Sequence, residues 1–217
     1  MEEDYDIVTA SGEDQDSIAE FLRQAFYRHE PINVSVGAPP DRPINAIFAL
    51  QLLSEGKSLL AVSRNGRRIL GFCANTEIRP NANDNSTKQT TFTEPTYNKI
   101  FAFFDKIEGS ADIWKKTDAH RAMCIRVLGV DPAVCGRGIG RRLMEATRHK
   151  ARSEGYPLLC IMCTSYYSAK IARAIGMQCV YSLPYSEYKG EDGNAVFKPP
   201  QPHTDVTVFL QKLSPEA

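Results

Sequence analysis

The sequence predicts an α+β fold in a single domain, and two stretches carry that expectation. Leu59 to Ser63 and Ile69 to Asn75 are apolar runs joined through Asn65-Gly66, the pattern of a β-hairpin, so antiparallel strands come early. Further along, apolar strand-like runs at Met123–Val130, Leu158–Thr164 and Cys179–Ser182 alternate with helical spacing at Gly138–Ser153 and Ser168–Ile175, giving βαβαβ. With 217 residues and 42% hydrophobic content, the chain is long enough to bury one ordinary core.

The elements follow in order. Asp14 to Arg28 has Ile18, Phe21, Leu22, Ala25 and Phe26 at helical spacing, with Asp14 or Asp16 as the expected cap. Glu30 precedes Pro31 and is pushed out of the α region, so this helix ends there and a Pro/Gly-rich loop runs to Pro43. Ile44–Leu53 reads as a second helix, Asn81–Thr93 as a polar loop, and Tyr97–Ile107 as a helix with Ile100, Phe101, Phe104 and Ile107 on its apolar side. Ser168–Ile175 ends at Gly176, residues 190–202 form a loop with three prolines, and Asp205–Leu213 closes the chain as a strand.

Composition narrows the function classes. Twenty-six Lys and Arg balance 26 Asp and Glu, which disfavours nucleic acid or an anionic membrane as partner and points to a small molecule or protein. The start MEEDYDIV lacks the basic and apolar features of a secretory signal, and no run approaches the roughly 20 apolar residues of a spanning helix. The expectation is a cytoplasmic monomer. Five of six cysteines, Cys73, Cys124, Cys160, Cys163 and Cys179, lie in apolar runs and read as core thiols. Cys160 and Cys163 form a C-x-x-C with no second pair to complete a metal site, and their odd spacing on a strand sends them to opposite faces, so no metal is expected.

The chemistry-bearing segment is Val127-Leu128-Gly129-Val130-Asp131-Pro132 followed by Cys135-Gly136-Arg137-Gly138-Ile139-Gly140-Arg141-Arg142-Leu143, a strand feeding a Gly-rich turn that opens a helix. Such a turn presents unpaired N–H groups at the positive end of the helix dipole, suited to a pyrophosphate. Arg137, Arg141 and Arg142 add positive charge. Taken alone, Gly-x-Gly is more often a left-handed turn beside a solvated basic helix face. The Lys-Ser/Thr of a nucleotide-binding P-loop is missing, and Gly136-x-Gly138-x-Gly140 fails the dinucleotide spacing G-x-G-x-x-G.

The run RVLGVDPAVCGRGIGRRLME resembles the acetyl-CoA signature of the GNAT superfamily of N-acetyltransferases, Q/R-x-x-G-x-G/A after a strand ending in V-x-P. Cys135 departs from it, standing where that family carries Gln or Arg. FYRHEPIN, CTSYYSAKIARAIGM and VFKPPQPHTDV are similar to insect arylalkylamine (dopamine-type) N-acetyltransferases, extending the resemblance over Tyr5 to Leu213. It implies one acetyltransferase domain over 5–213, layered α/β/α, with a mixed, mostly antiparallel sheet of about seven strands and helices on both faces.

The resemblance also implies roles. Acetyl-CoA is the co-substrate, held by Leu128, Gly129, Val130, Gly136 through Arg142, and Ser168. The acceptor is a primary amine, which has a pKa of about 10 and arrives protonated, so a base is required. Glu30 matches the family's general base, taking the proton directly or through one water. His29 stands beside it where the family has an acidic residue, and is expected in solvent. Val130 N–H would meet the oxyanion, and Leu128 would hold the pantetheine arm by strand-like bonds. The tyrosine that many members use as general acid is Ala172 here. The subgroup's hydroxyls match Thr164 and Ser168, with Tyr167 as a further candidate; a serine more plausibly orients or relays than donates unaided. The bland reading for Ser168 and Tyr167 is capping or packing. Pro31, Tyr185, the stretch from Tyr97 to Trp114 and the loop before His203 are expected around the acceptor, though Phe101 and Phe104 at helical spacing are more often core. Rival readings are a polyamine, agmatine or longer-acyl transferase, and a non-catalytic CoA-binding module.

Overall fold

The computed structural model describes residues 4–38, 44–65, 68–80 and 95–214. Its centre is a seven-stranded sheet ordered β1-β2-β3-β4-β5-β7-β6, with β1 Tyr5–Thr9, β2 Leu59–Ser63, β3 Ile69–Ile78, β4 Ala122–Val130, β5 Leu158–Cys163, β6 Gln178–Pro184 and β7 Asp205–Lys212. Every neighbouring pair is antiparallel except β4 and β5. The β4–β5 connection crosses over through a helix, as parallel neighbours require. The fold expectation of a mixed, mostly antiparallel sheet with helices on both faces is met.

The helices are α1 Gln15–Phe21, α2 Pro31–Ser35, α3 Ile44–Gln51, α4 Pro95–Ala111, α5 Ile139–Ser153 and α6 Tyr166–Ala174. On one sheet face α5 and α6 bury Ile139, Leu143, Met144, Ala169 and Ala172 against Met123, Ile125, Leu159 and Ile161. On the other, α1 and α3 cover β2 to β4 through Ile18, Phe21, Leu22 and Ala49, while α4 covers β5 to β7 through Ile100, Phe103 and Ile107. Cys160 faces one core and Cys163 the opposite one, as their spacing predicted.

Several sequence expectations are corrected. The strand β1 was not foreseen: in YDIVT only Tyr5 and Ile7 reach the core and Val8 is 43% exposed, so the sheet-edge strand lacks a full apolar alternation. Asp14 holds the N-cap position of α1 but makes no side-chain cap bond to it; the capping bonds lie one turn earlier, where the Ser11 hydroxyl accepts from Glu13 N–H while Asp14 accepts from Ser11 N–H. Pro31 does not open a loop. It is the first residue of α2, since proline's fixed φ suits a helix start and its missing N–H would have had no intrahelical partner. Phe103, rather than Phe101 or Phe104, is fully buried on α4, and the other two pack at the rim of the same cluster. Cys179 is exposed, because β6 is an edge strand and a bulge at Val180 follows. The predicted loop 81–93 and Gly66 of the hairpin turn lie outside the described residues.

Candidate active site

The parting of β4 from β5 makes the first half of the site. Their pairing runs only from Met123↔Leu159 to Ile125↔Ile161, so no β5 residue stands opposite residues 126–130. Across β3 the register jumps from Ala74↔Val127 to Asn75↔Ile125, leaving Arg126 as a bulge. Asp131 donates its N–H to Leu70 O of β3. Strand N–H groups alternate in direction, so the amides of Gly129 and Val127 also point at β3, and those of Val130 and Leu128 point into the gap left by β5. Their side chains meanwhile pack against the α5 core.

The glycine turn sits at the end of β4. Gly136 and Gly138 have φ of 84° and 79°, a left-handed backbone that a Cβ would strain. Gly138 caps α5 without a side-chain bond, and the first intrahelical bond is from Arg142 N–H to Gly138 O at 3.0 Å. The amides of Ile139, Gly140 and Arg141 therefore point outward at the helix's positive end. Gly140 is buried and serves a different purpose. A Cβ there would lie 3.2 Å from Ile171 Cδ1 on α6 and 3.4 Å from Val130 Cγ2, so its small size lets α5 start close against both. Arg141 bonds Glu145 at 2.9 Å and Arg142 lies over the Tyr5 ring; with exposed Arg137 they line a cleft of 770 Å³ together with Asp4 and Leu70. Exposed Cys135 lies beside the turn, where burial and Asp131 push its thiol above the ordinary value.

The second half is built around Glu30. The helix before it ends in a π turn over Leu22–Phe26, closed by Tyr27 N–H to Leu22 O at 2.9 Å. The extra residue delays the chain by one position, so Tyr27 joins Ile18 and Leu22 on the buried stripe. Glu30 then adopts the extended backbone forced by Pro31 (ψ 124°) and caps α2. Only 7% exposed, it accepts three hydrogen bonds: from Asn33 N–H (2.7 Å) and Asn33 Nδ2 (2.6 Å) on Oε2, and from Thr164 Oγ1 (2.7 Å) on Oε1. Tyr185 donates its hydroxyl to Thr164 O at 2.7 Å, locking the end of β5. Burial, then Glu30, Asp205 and Cys163, push the Tyr185 phenol well up.

The start of α6 joins the two halves. Ser165, not Ser168, is its N-cap, accepting from Ser168 N–H at 3.0 Å, while Ser168 Oγ donates to Ser165 O. Burial pushes the Cys163 thiol up to about 12, with nearby Ser168 and Arg173 opposing the shift. Tyr167 is 60% exposed, its ring edge-on to His203 at 5.7 Å, and Tyr166 N–H donates to His203 Nδ1 at 3.1 Å.

Of the residues singled out from sequence, Glu30, Thr164 and Tyr185 converge on one hydrogen-bonded cluster, with Pro31 buried beside them as the first residue of α2. Val130 and Gly140 of the 136–142 turn meet beside Ile171 of α6, with Leu128 packed into the same core, while Tyr167 faces outward with His203, and His29 is exposed. Sequence reasoning missed Asn33, Ser165 and Tyr27. A capping spacing from Glu30 to Asn33 and from Ser165 to Ser168 was the available signal for the first two.

A parted strand pair whose amides face the gap, next to a glycine-opened helix, defines a class of protein. The chain matches the model of the acetyltransferase (GNAT) family over residues 22–174 and belongs to that family, whose members use acetyl-CoA. Among solved structures it is similar to arylalkylamine N-acetyltransferase 2 from Aedes aegypti, with 23% identity and a TM-score of 0.91 over 97% of this chain and 100% of that one. A Drosophila melanogaster polyamine N-acetyltransferase that forms N-acetylagmatine is 24% identical, with a TM-score of 0.84 and the same coverage. A putative acetyltransferase from Salmonella typhimurium, solved with acetyl-CoA, is 14% identical with a TM-score of 0.55, covering 99% of this chain and 96% of that one.

Proposed function

We propose that residues 5–213 form one catalytic domain that transfers the acetyl group of acetyl-CoA to the primary amine of an arylalkylamine such as tyramine, dopamine, serotonin or octopamine. The observation that carries this reading is a buried carboxylate, Glu30, fixed by three hydrogen bonds at the end of β5, beside the gap between the two parallel strands. In this reading the diphosphate meets the amides of Ile139, Gly140 and Arg141, within the stretch from Gly136 to Arg142, and the pantetheine arm lies along Leu128 and Gly129. The amine loses a proton to Glu30 and its lone pair attacks the thioester carbonyl. Val130 N–H stabilises the oxyanion, and the C–S bond breaks. The nitrogen sheds its second proton as the amide forms, and the thiolate, with a pKa of ~8.5, takes up that proton relayed past Ser168 and Thr164. Both transfers occur in one ternary complex. Buried Cys163, held in its thiol form, is no candidate for an acetyl-enzyme.

The aryl preference is supported by the likeness to the Aedes aegypti arylalkylamine N-acetyltransferase; the aromatic cluster of Phe103, Tyr185, Tyr188 and Phe197, whose members lie 4.7–6.1 Å from Phe103, is core packed beside Ile32 of α2. A second reading, agmatine or a polyamine as acceptor, is favoured by Asp205, a second acid felt by Tyr185, and by the likeness to the Drosophila enzyme. Thiol release from acetyl-CoA against tyramine, dopamine, serotonin, agmatine and spermidine separates them. Faster turnover of spermidine than of tyramine refutes the aryl assignment, and no thiol release with any amine refutes catalysis.

A further inference from the structure

Glu30 has more hydrogen-bonding capacity than the protein uses. A carboxylate offers about four lone-pair positions, and three are taken, two on Oε2 by Asn33 and one on Oε1 by Thr164. One position on Oε1 remains. Asn33 of α2 and Thr164 after β5 bond Glu30 directly; Tyr27 after the π turn and Tyr185 after β6 lie within its electrostatic reach, as Tyr97 of α4 does of Tyr27, and Asp205 and Cys163 of Tyr185. Tyr185 has committed its hydroxyl to Thr164 O.

Tyr27 has not. Its side chain is 4% exposed, its hydroxyl is buried, and no group among the described residues bonds it. The phenol lies within electrostatic reach of Tyr97 and Glu30, and burial, then these two neighbours, push it well above its ordinary value, so it remains a proton donor at neutral pH. A phenylalanine would fill the same space without a polar atom to satisfy, and the neighbouring Phe21 and Phe26 do so. A buried polar group flanked by others is the setting in which an ordered water makes two to four bonds.

We propose that Tyr27 is a positioning residue for amine deprotonation: its hydroxyl holds a water against the open lone pair of Glu30, and that water carries the amine proton to the carboxylate. The inference rests on the acetyl-transfer reading above. The ammonium N–H bond breaks as its proton passes to the water. The water passes one of its own protons to Glu30 Oε1, and the nitrogen keeps the lone pair that attacks the thioester. Tyr27 gives up no proton. It acts only through the water.

Two measurements test this. A high-resolution crystal structure of the ligand-free protein should show a water within about 3 Å of both Tyr27 Oη and Glu30 Oε1. A well-ordered site without that water, or a hydroxyl bonded to a protein carbonyl, overturns the proposal whatever the enzyme's activity. In Tyr27→Phe, kcat/KM for the amine should fall about tenfold, the factor of one hydrogen bond to a charged group. The acidic limb of its pH profile should move to higher pH, since the carboxylate loses a donor. Acetyl-CoA affinity and melting temperature should stay at or above those of the parent. A variant with the parent's kcat/KM and acidic limb overturns the relay even where the water is seen. A parent that acetylates no amine instead sinks the acetyl-transfer reading, and the relay with it.

Discussion

Replacing Glu30 by Gln separates the observed role of this side chain as a helix cap from its proposed role as general base. The substitution keeps the shape and leaves a carbonyl oxygen that can still accept both bonds from Asn33, at 2.7 and 2.6 Å in the parent. Its amide NH2 then faces Thr164 Oγ1, which must turn from donor to acceptor. Bonds to a charged acceptor contribute about 1.5–3 kcal/mol and neutral ones about 0.5–1.5, so three weakened bonds lose up to a few kcal/mol. Burying a neutral amide instead of a charge returns part of that. A net loss of about 1–2 kcal/mol lowers the melting temperature by roughly 2–8 °C in a chain of this size. Loss of a general base costs about 10²- to 10⁴-fold in rate, or about 2.7–5.4 kcal/mol of barrier. The kinetic effect exceeds the structural one and can be read apart from it. Initial rates of thiol release at saturating acetyl-CoA, beside a thermal melt, make the comparison. Glu30→Ala should melt lower still, because three buried donors then lack an acceptor. A Gln variant that melts as expected yet keeps activity within about threefold of the parent would falsify the base assignment and leave Glu30 as a helix cap.

Gly138→Ala meets no atom within 4 Å but places a Cβ at φ 79°, a strain of about 1–2 kcal/mol; coenzyme A titration should weaken about tenfold, and unchanged affinity would remove the turn from the site. His203 is held below its ordinary value by burial, and its Nδ1 accepts from Tyr166 N–H, so the folded state favours neutral imidazole. Its contribution is therefore whole above about pH 6.5 and lost as pH falls below that. The Tyr166 amide NMR shift should follow the His203 titration, and a flat shift from about pH 7.5 to 5 contradicts the bond. Cys135 and Cys179 are both exposed, but only Cys135 adjoins the glycine turn. Coenzyme A should shield Cys135 and not Cys179 from iodoacetamide, as peptide mass spectrometry would report, and the raised thiol makes Cys135 labelling climb with pH. Equal labelling of Cys135 with and without coenzyme A argues against ligand at the turn.

What the sequence could say depended on how local each determinant is. The hairpin and the strand–turn–helix were legible, because β-period apolar runs and glycines at Gly136 and Gly138 act over a few residues. The strand β1 was not, since an edge strand with an exposed outer face needs little apolar sequence. The Glu30–Pro31 pair was read correctly as a backbone break but wrongly as the start of a loop: the rule governs Glu30's own ψ, whereas proline favours beginning the next helix. The Thr164 bond to Glu30 spans 134 residues of chain, and nothing local to either residue encodes it. Tyr27's burial is equally hidden, because a single π turn shifts which residues face inward and the apolar spacing of the helix does not announce the extra residue.

The bulge at Arg126 shows how one inserted residue sets the chemistry of the gap. Before it, Met123 and Ile125 face the α5 core and pair with β5; after it, Leu128 and Val130 take over that face. A strand repeats every two residues, so an unbulged β4 would turn the amides of Val127 and Gly129 toward the gap and those of Leu128 and Val130 toward β3. Gly129 would then face α5, while Val130 would meet Phe21 and Phe26, whose rings already lie 3.4 and 3.3 Å from the point a Cβ on Gly129 would occupy. The bulged residue is itself anchored, since half-buried Arg126 reaches Glu108 of α4 with Nη1 at 2.5 Å from Oε1. An ion pair on the far face of the sheet thus fixes the phase in which two main-chain donors meet the gap. The glycine at 129 is what lets α1, and with it Tyr27 and Glu30, approach the same strand from behind.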